Sequence, residues 1–351
     1  MKIAVIIPPF TTLPTIGQGG TERIAEGLIN ELLKRDHEVT LLGAGNCQTK
    51  ANFVQIFRRT ISEQKFDNAF VEASRPLRIE TAYITKVMKY LADHDGEFDV
   101  VFNHMRGGFL IMPLAQKLKM PIISVFHLPL FEEVIDAVSQ FENPNVISIS
   151  NNQRKPAGDR INFLSTVYNG LDLSEFEYND KPENYFMFMG AMGEHKRPHL
   201  AIEAAKKAGV KLVLVGGKKR EPYFSEMIAP RIDDENVKYL GEVESVERIK
   251  VFKNAKGFLF PINWEEPFGL VVIESMASGT PVIAFNHGAM SEIIDDGKDG
   301  FVVENVDEMA EAIGKIDQIN RSLCRKKVEE KFTYGKMVDG YLEAFETIKD
   351  K

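Results

Sequence analysis

Two glutamates separated by seven residues, Glu266 and Glu274, lie in Trp264-Glu265-Glu266-Pro267-Phe268-Gly269-Leu270-Val271-Val272-Ile273-Glu274-Ser275-Met276-Ala277-Ser278-Gly279-Thr280-Pro281. Ionised carboxylates only accept hydrogen bonds, so such a pair suits the vicinal hydroxyls of a sugar. The segment predicts one helix with both ends marked. Pro267 fits a first-turn position, Gly279 the left-handed residue after the last turn, and Pro281 the start of the next strand. Backbone N–H groups of Phe268, Gly269, Leu270 and Val271 would then be free at the positive end of the helix, a ready site for a diphosphate. Along that helix the two carboxylates are at most about 12 Å apart. A nucleotide sugar across its start could meet one with its sugar hydroxyls and the other with its ribose. Spacing alone equally allows Glu265 and Glu266 only to favour the helix dipole and Glu274 to be a solvated side chain.

Other candidates follow predicted strands. Gly17-Gln18-Gly19-Gly20-Thr21-Glu22 comes after the first, where backbone without side chains can approach a phosphate or sugar, although a simple flexible turn would look the same. It is not a dinucleotide fingerprint: the third glycine is missing, and the second strand runs into Gly43-Ala44-Gly45 instead of an acid for the ribose. His127 ends Ser124-Val125-Phe126 at a strand end, and such ends point into the ligand crevice of open α/β sheets. His104 and Arg106, in Asn103-His104-Met105-Arg106 after the preceding strand, are candidates for the acceptor side. The histidines show no metal-ligand spacing, and Asp93-His94-Asp95 closes a predicted surface helix, so it reads as solvated.

These residues need a scaffold. Short β-branched apolar runs alternate with amphipathic stretches from end to end, the pattern of parallel sheets covered by helices. Strands are expected near 2–8, 38–42, 98–102, 121–126 and 146–149. A strong helix follows Thr21, with Ile24, Leu28 and Leu32 on one face and Thr21 as a candidate cap. The pattern restarts at Tyr185-Phe186-Met187-Phe188-Met189-Gly190, with a helix from Pro198 and further strands near 211–216, 237–240, 257–262 and 281–285. The turn formers of Asn169-Gly170-Leu171-Asp172 place a hinge there. The expected organisation is a Rossmann-like acceptor domain over 1–168, a Rossmann-like donor domain over 169–331, and a helix over 332–351 that crosses back to the first domain, with the site in the cleft between the two. The segments 46–67 and 131–141 look irregular and suit the acceptor pocket.

The length of 351 residues fits two domains, and an apolar fraction of 44% supports packed cores. A net charge of −8 argues against sequence-independent nucleic-acid binding, which needs surplus Lys and Arg. Cys47 and Cys324 are the two cysteines, too few for a disulfide framework, and a reducing cytoplasm fits best. No run approaches the roughly 18 apolar residues of a membrane span. Peripheral attachment to the inner face of a membrane stays open.

The run from Glu266 to Ala284, E-P-F-G-L-V-V-I-E-S-M-A-S-G-T-P-V-I-A, resembles the retaining GT-B glycosyltransferases of family 4, among them bacterial phosphatidylinositol mannosyltransferases and sucrose synthases. The resemblance extends over nearly the whole chain. It implies that Glu266 meets the donor sugar and Glu274 the ribose, and that Lys196, in Gly190-Ala191-Met192-Gly193-Glu194-His195-Lys196-Arg197, neutralises the leaving diphosphate. It also implies that His127 lies near the donor sugar. Family members usually carry Arg where Ala191 stands. Either Arg197 or the Lys218-Lys219-Arg220 cluster after Gly216-Gly217 then takes over, or donor affinity is weak.

The implied activity is metal-independent, retaining transfer of a hexose from a nucleotide diphosphate sugar, with UDP-sugar preferred and GDP-mannose allowed. The acceptor would be a saccharide, a lipid-linked molecule or a small molecule, and no cofactor is needed. Alternatives are a nucleotide-sugar 2-epimerase of similar shape and a non-catalytic nucleotide-sugar-binding subunit.

Overall fold

The computed structural model describes residues 1–15, 19–64, 74–218 and 221–349. Gly17 and Gln18 of the glycine-rich segment, Lys219 and Arg220 of the basic cluster, and 65–67 of the first irregular segment lie outside the described residues. The chain divides into two compact units: Met1–Gly170 together with Tyr334–Lys351, and Leu171–Thr333.

The first unit holds a parallel sheet of strands β1 (Lys2–Ile6), β2 (Glu38–Ala44), β3 (Asn52–Phe57), β4 (Val100–Asn103), β5 (Ile122–Phe126), β6 (Val146–Ser148) and β7 (Phe163–Thr166), in the order β3-β2-β1-β4-β5-β6-β7. β1 lies between β2 and β4 and is covered on both faces, which is why Ile3-Ala4-Val5-Ile6 reads as an unbroken apolar run and is fully buried. The chain winds outward in both directions from β1 and β4, so the order reverses between them. In open α/β sheets such a reversal is where ligands bind, beyond the carboxyl ends of the strands.

Helix α1 (Gly20–Lys34) buries Ile24, Leu28 and Leu32 as their spacing demands. Gly19 occupies its N-cap position and no side chain caps it, so Thr21 lies inside the first turn and does not cap. Helix α2 (Arg75–Asp93) ends where Asp93 pairs with Lys89, and the Asp95 carboxylate accepts from the Lys119 amide at 2.7 Å.

Two segments expected to be irregular are in part regular. β3 lies inside 46–67, and helix α3 (Glu132–Ser139) inside 131–141. β3 is an edge strand, half-exposed, so its alternation is weak. α3 is short but buries Val134, Ile135 and Val138 on one face.

The C-terminal helix, Tyr334–Glu346, packs on the first unit through Met337, Val338, Tyr341, Ala344 and Phe345. Arg35 fastens it, donating to Asp339 at 2.7 Å and to the Gly335 carbonyl at 3.0 Å. Gly27 of α1 makes room for it, since a Cβ there would fall 2.1 Å from Cε1 of Tyr334. Alanine would gain roughly 1 kcal/mol of helix propensity. Displacing an aromatic ring costs about 1–3 kcal/mol. Gly27→Ala is therefore expected to lower the urea midpoint of unfolding, and a raised midpoint would show that the ring moves aside freely.

The second unit repeats the plan with β8 (Phe186–Met189), β9 (Leu212–Val215), β10 (Val237–Tyr239), β11 (Gly257–Phe260), β12 (Val282–Phe285) and β13 (Gly300–Val303), ordered β10-β9-β8-β11-β12-β13. Here the order reverses between β8 and β11. Its helices include α4 (Pro198–Ala208), α5 (Ser245–Asn254) and α6 (Leu270–Ala277). β7 and β13 are strands that the sequence reading did not anticipate. Among the described residues no helix is long and apolar enough to cross a membrane.

Candidate active site

Lys196 follows β8 and Glu266 follows β11, so the two come from the loops flanking the reversal point of the second sheet. Seventy residues apart in sequence, they meet: Lys196 Nζ donates to Glu266 Oε2, with side chains only 17% and 14% exposed. The ammonium also lies over the rings of Phe260 at 5.2 Å and Trp264 at 5.1 Å. Electron-rich ring faces add to the attraction that holds the charge there. Trp264 Nε1 is buried with no hydrogen-bond partner.

The backbone of Glu266 is clamped from behind. Its carbonyl accepts from the Ala289 amide at 3.0 Å, and Gly288, at φ +64°, passes so close that a Cβ would sit 2.2 Å from that oxygen and 2.3 Å from the Glu266 nitrogen. Glu265 points elsewhere: its Oε2 accepts from the Gly288 amide at 3.0 Å, and Oε1 lies 3.5 Å from His287 Nδ1. Of the adjacent acids, one braces the loop and the other pairs with the lysine.

The helix expected to start at Pro267 begins instead at Leu270, with Gly269 as its N-cap at φ 98°. The reason is local: a left-handed residue breaks the helical path, and the Val272 amide bonds back to the Gly269 carbonyl at 2.9 Å. Phe268 is buried against Phe332. Within the helix that starts at Leu270, the amides of Leu270 and Val271 lack an intrahelical acceptor. At the other end Gly279 takes the left-handed conformation at φ 81°, as the sequence indicates. Glu274, one turn further along α6, is 3% exposed and not a solvated side chain; Arg248 of α5 approaches its Oε2 at 3.4 Å. Nothing in the sequence singled out Arg248.

Lys218 Nζ lies 4.4 Å from the centre of the Phe224 ring. Arg197 sits at φ 48° before α4, a conformation costly for a residue with a Cβ. Its charge, with that of Arg231 and after burial as the larger cause, lowers the pKa of His199. Gly216 is required where it stands, because a Cβ would fall 1.9 Å from the Gly190 carbonyl oxygen.

In the first unit the strands around the reversal point carry a second group. Gly19 and Gly20 open α1, and a Cβ on Gly19 would meet Thr15 Cγ2 at 2.5 Å. His104 follows β4 and His127 follows β5; His104 Nδ1 and His127 Nε2 are 2.8 Å apart. Burial, aided by the neighbouring Arg106 charge, depresses His127 to about 3. Burial and His127 likewise depress His104. Both rings are therefore neutral at pH 7. Arg106 is exposed and stacks on Phe10 at 3.8 Å.

Glu22 lies in the first turn of α1. It is 1% exposed, and neither carboxylate oxygen has a hydrogen-bond partner. Burial raises its pKa against the smaller downward pulls of the local backbone amide and the Arg106 charge, and burial likewise raises Glu80 against Arg106 and the Gly107 backbone. Among the described residues no three His, Cys, Asp or Glu side chains gather as a metal-holding group.

Two all-parallel α/β units, each with its chemically distinctive residues at the point of strand-order reversal, define a GT-B architecture of Rossmann-like domains. The family model for glycosyl transferases group 1 matches residues 172–332, and that for glycosyltransferase family 4 matches 18–175. An uncharacterized glycosyltransferase of Methanocaldococcus jannaschii is 29% identical over 193 residues, 52% of this chain and 54% of that protein. The match thus spans about half the length of that curated relative. The phosphatidyl-myo-inositol mannosyltransferase of Mycolicibacterium smegmatis is 23% identical over 335 residues, covering 89% of this chain and 84% of that one. Anabaena HepE, solved in complex with UDP and glucose, superposes with a TM-score of 0.71 at 18% identity, covering 99% of this chain and all of that one (100%). The chain belongs to the GT-B glycosyltransferases of the family 4 type.

Proposed function

We propose that the chain transfers a hexose, with retention of anomeric configuration and without a metal ion, from a nucleoside diphosphate sugar to a saccharide, lipid-linked or small-molecule acceptor. The observation that carries this reading is the Lys196–Glu266 pair beside the open amides of α6. Within the pair each charge neutralises the other. A donor separates them usefully: its diphosphate takes Lys196 and the Leu270 and Val271 amides, while a sugar hydroxyl donates to Glu266. The ribose hydroxyls compete with Arg248 for Glu274. As the glycosidic bond breaks, charge grows on the leaving phosphate, where Lys196 and the helix amides are already oriented and need no rearrangement. The leaving phosphate takes the acceptor proton, so no side-chain base is required. UDP is the preferred nucleotide, supported by the UDP and glucose found with HepE. GDP-mannose is the second choice, supported by the mannosyltransferase relative.

The test is a thermal-shift series with UDP-, GDP- and ADP-sugars, followed by NMR of the product anomer. A ligand that binds only the folded protein raises the midpoint, by about 2.7 kcal/mol of stability at a hundredfold excess over Kd. No shift with any of the three, or an inverted anomer, would overturn the proposal.

A further inference from the structure

His104 is fully buried and its ring stacks on that of His127, with centroids 5.1 Å apart and planes 26° from parallel. The edge of Tyr341, from the C-terminal helix, meets His104 with ring centroids at 6.0 Å. The 2.8 Å contact between His104 Nδ1 and His127 Nε2 requires one nitrogen to carry a proton and the other a lone pair. With both rings neutral, two arrangements are possible, and the remaining nitrogen of His104 separates them.

His104 Nε2 is buried and has no hydrogen-bond partner. Were its proton on Nε2, the molecule would hold a buried N–H donor with nothing to receive it. With the proton on Nδ1, what is left bare is a lone pair. Orphaned buried N–H groups are the rarer of the two in folded proteins, and an unmade bond costs the full desolvation of the group. The tautomer of one ring then dictates that of the other. We infer that His104 is a positioning residue which donates from Nδ1 to His127 Nε2, and thereby fixes His127 with its own proton on Nδ1.

His127 therefore presents a donor. Its Nε2 lone pair is occupied, so the ring cannot remove a proton from an incoming hydroxyl, but its Nδ1–H can donate to a hydroxyl oxygen of a bound sugar. Arg106 is the charged group acting on this ring, and its positive charge opposes protonation as burial does. The consequence for transfer rests on the proposed function; the tautomer does not.

The experiment is a two-bond 1H–15N correlation spectrum of the 15N-histidine-labelled full chain at pH 7, with His127→Gln used to assign the His127 signals. The expected pattern is a protonated Nδ1 and a bare Nε2 for both residues. A protonated Nε2 on His127, or averaged nitrogens, overturns the inference. Two substitutions then separate positioning from mere packing. His104→Leu should release the His127 signals to averaging and lower kcat roughly 10- to 100-fold, the scale known for loss of the hydrogen-bond partner that orients a metal-ligating histidine. His104→Asn places an N–H donor near the position of Nδ1 and should restore the single tautomer and most of the turnover. A His104→Leu protein that keeps one His127 tautomer overturns the positioning role, and if it fails to fold the wild-type spectrum still decides the tautomer. The fixed tautomer together with undiminished transfer in His127→Gln would instead count against His127's part in the proposed function and leave the inference standing.

Discussion

Lys196→Ala is expected to lower kcat about 10²- to 10³-fold, equivalent to about 2.7–4 kcal/mol of barrier, the loss found when one preorganised donor to a developing negative charge is removed. The size follows from the surroundings of the ammonium. It is 17% exposed, held by Glu266, and faces two aromatic rings, so neither water nor salt screens it as at an open surface. Its charge matters more to the departing phosphate than to the bound donor, because negative charge on the phosphate grows as the bond breaks. Hence kcat and kcat/KM should fall together, with little change in donor KM. A normal kcat with a raised KM would assign Lys196 to ground-state binding alone. Turnover near the wild-type level would remove it from the mechanism. Arginine is not a safe replacement, since its planar fork cannot reproduce a point charge seated between two rings and a carboxylate.

The second large effect requires no change of charge. Gly288→Ala is expected to reduce turnover about 100-fold, the scale of loss when reacting groups are misplaced by roughly 1 Å. At φ +64° the alanine is strained, and its Cβ would overlap the backbone nitrogen and oxygen of Glu266, neither of which can rotate away. Either the loop carrying Glu266 shifts or the turn at Gly288 opens, and both disengage the carboxylate from Lys196. The control is Gly297→Ala. Gly297 has φ +74°, so the backbone strain is comparable, yet no atom lies within 4 Å of the added Cβ. Gly297→Ala should lose some stability and keep its turnover. Equal losses of turnover in the two variants would show that strain alone, and not displacement of Glu266, is responsible. Steady-state kinetics and a melting curve on each protein decide between them.

What the chain shows before folding is local. Apolar runs such as Ile3-Ala4-Val5-Ile6 announce fully covered strands, and the spacing of Ile24, Leu28 and Leu32 announces α1, because side-chain period and burial are coupled along a single element. The edge strand β3 escaped because only one neighbour pairs with it and its faces are half-wet, which removes the apolar alternation that strand reading depends on. The start of α6 was misplaced for a similar reason. Proline is compatible with a first turn, but the left-handed Gly269 that sets the boundary looks in sequence like any other glycine.

The sequence by itself determined the residue types of the site and their order along the chain: two acids with seven residues between them, a lysine after the restart of the second half, and histidines at successive strand ends. Only the tertiary structure decided which of them meet. Sheet order brings the loops after β8 and β11 side by side although Lys196 and Glu266 stand seventy positions apart, and so pairs Lys196 with Glu266 and not with Glu265. Packing against α5 turned Glu274 from a plausible surface acid into a buried partner of Arg248. Separate tertiary contacts placed Gly288 behind Glu266 in the second unit and His104 beside His127 in the first. Contacts of this kind depend on distance in space, which the strand crossovers set and which no periodicity along the chain records.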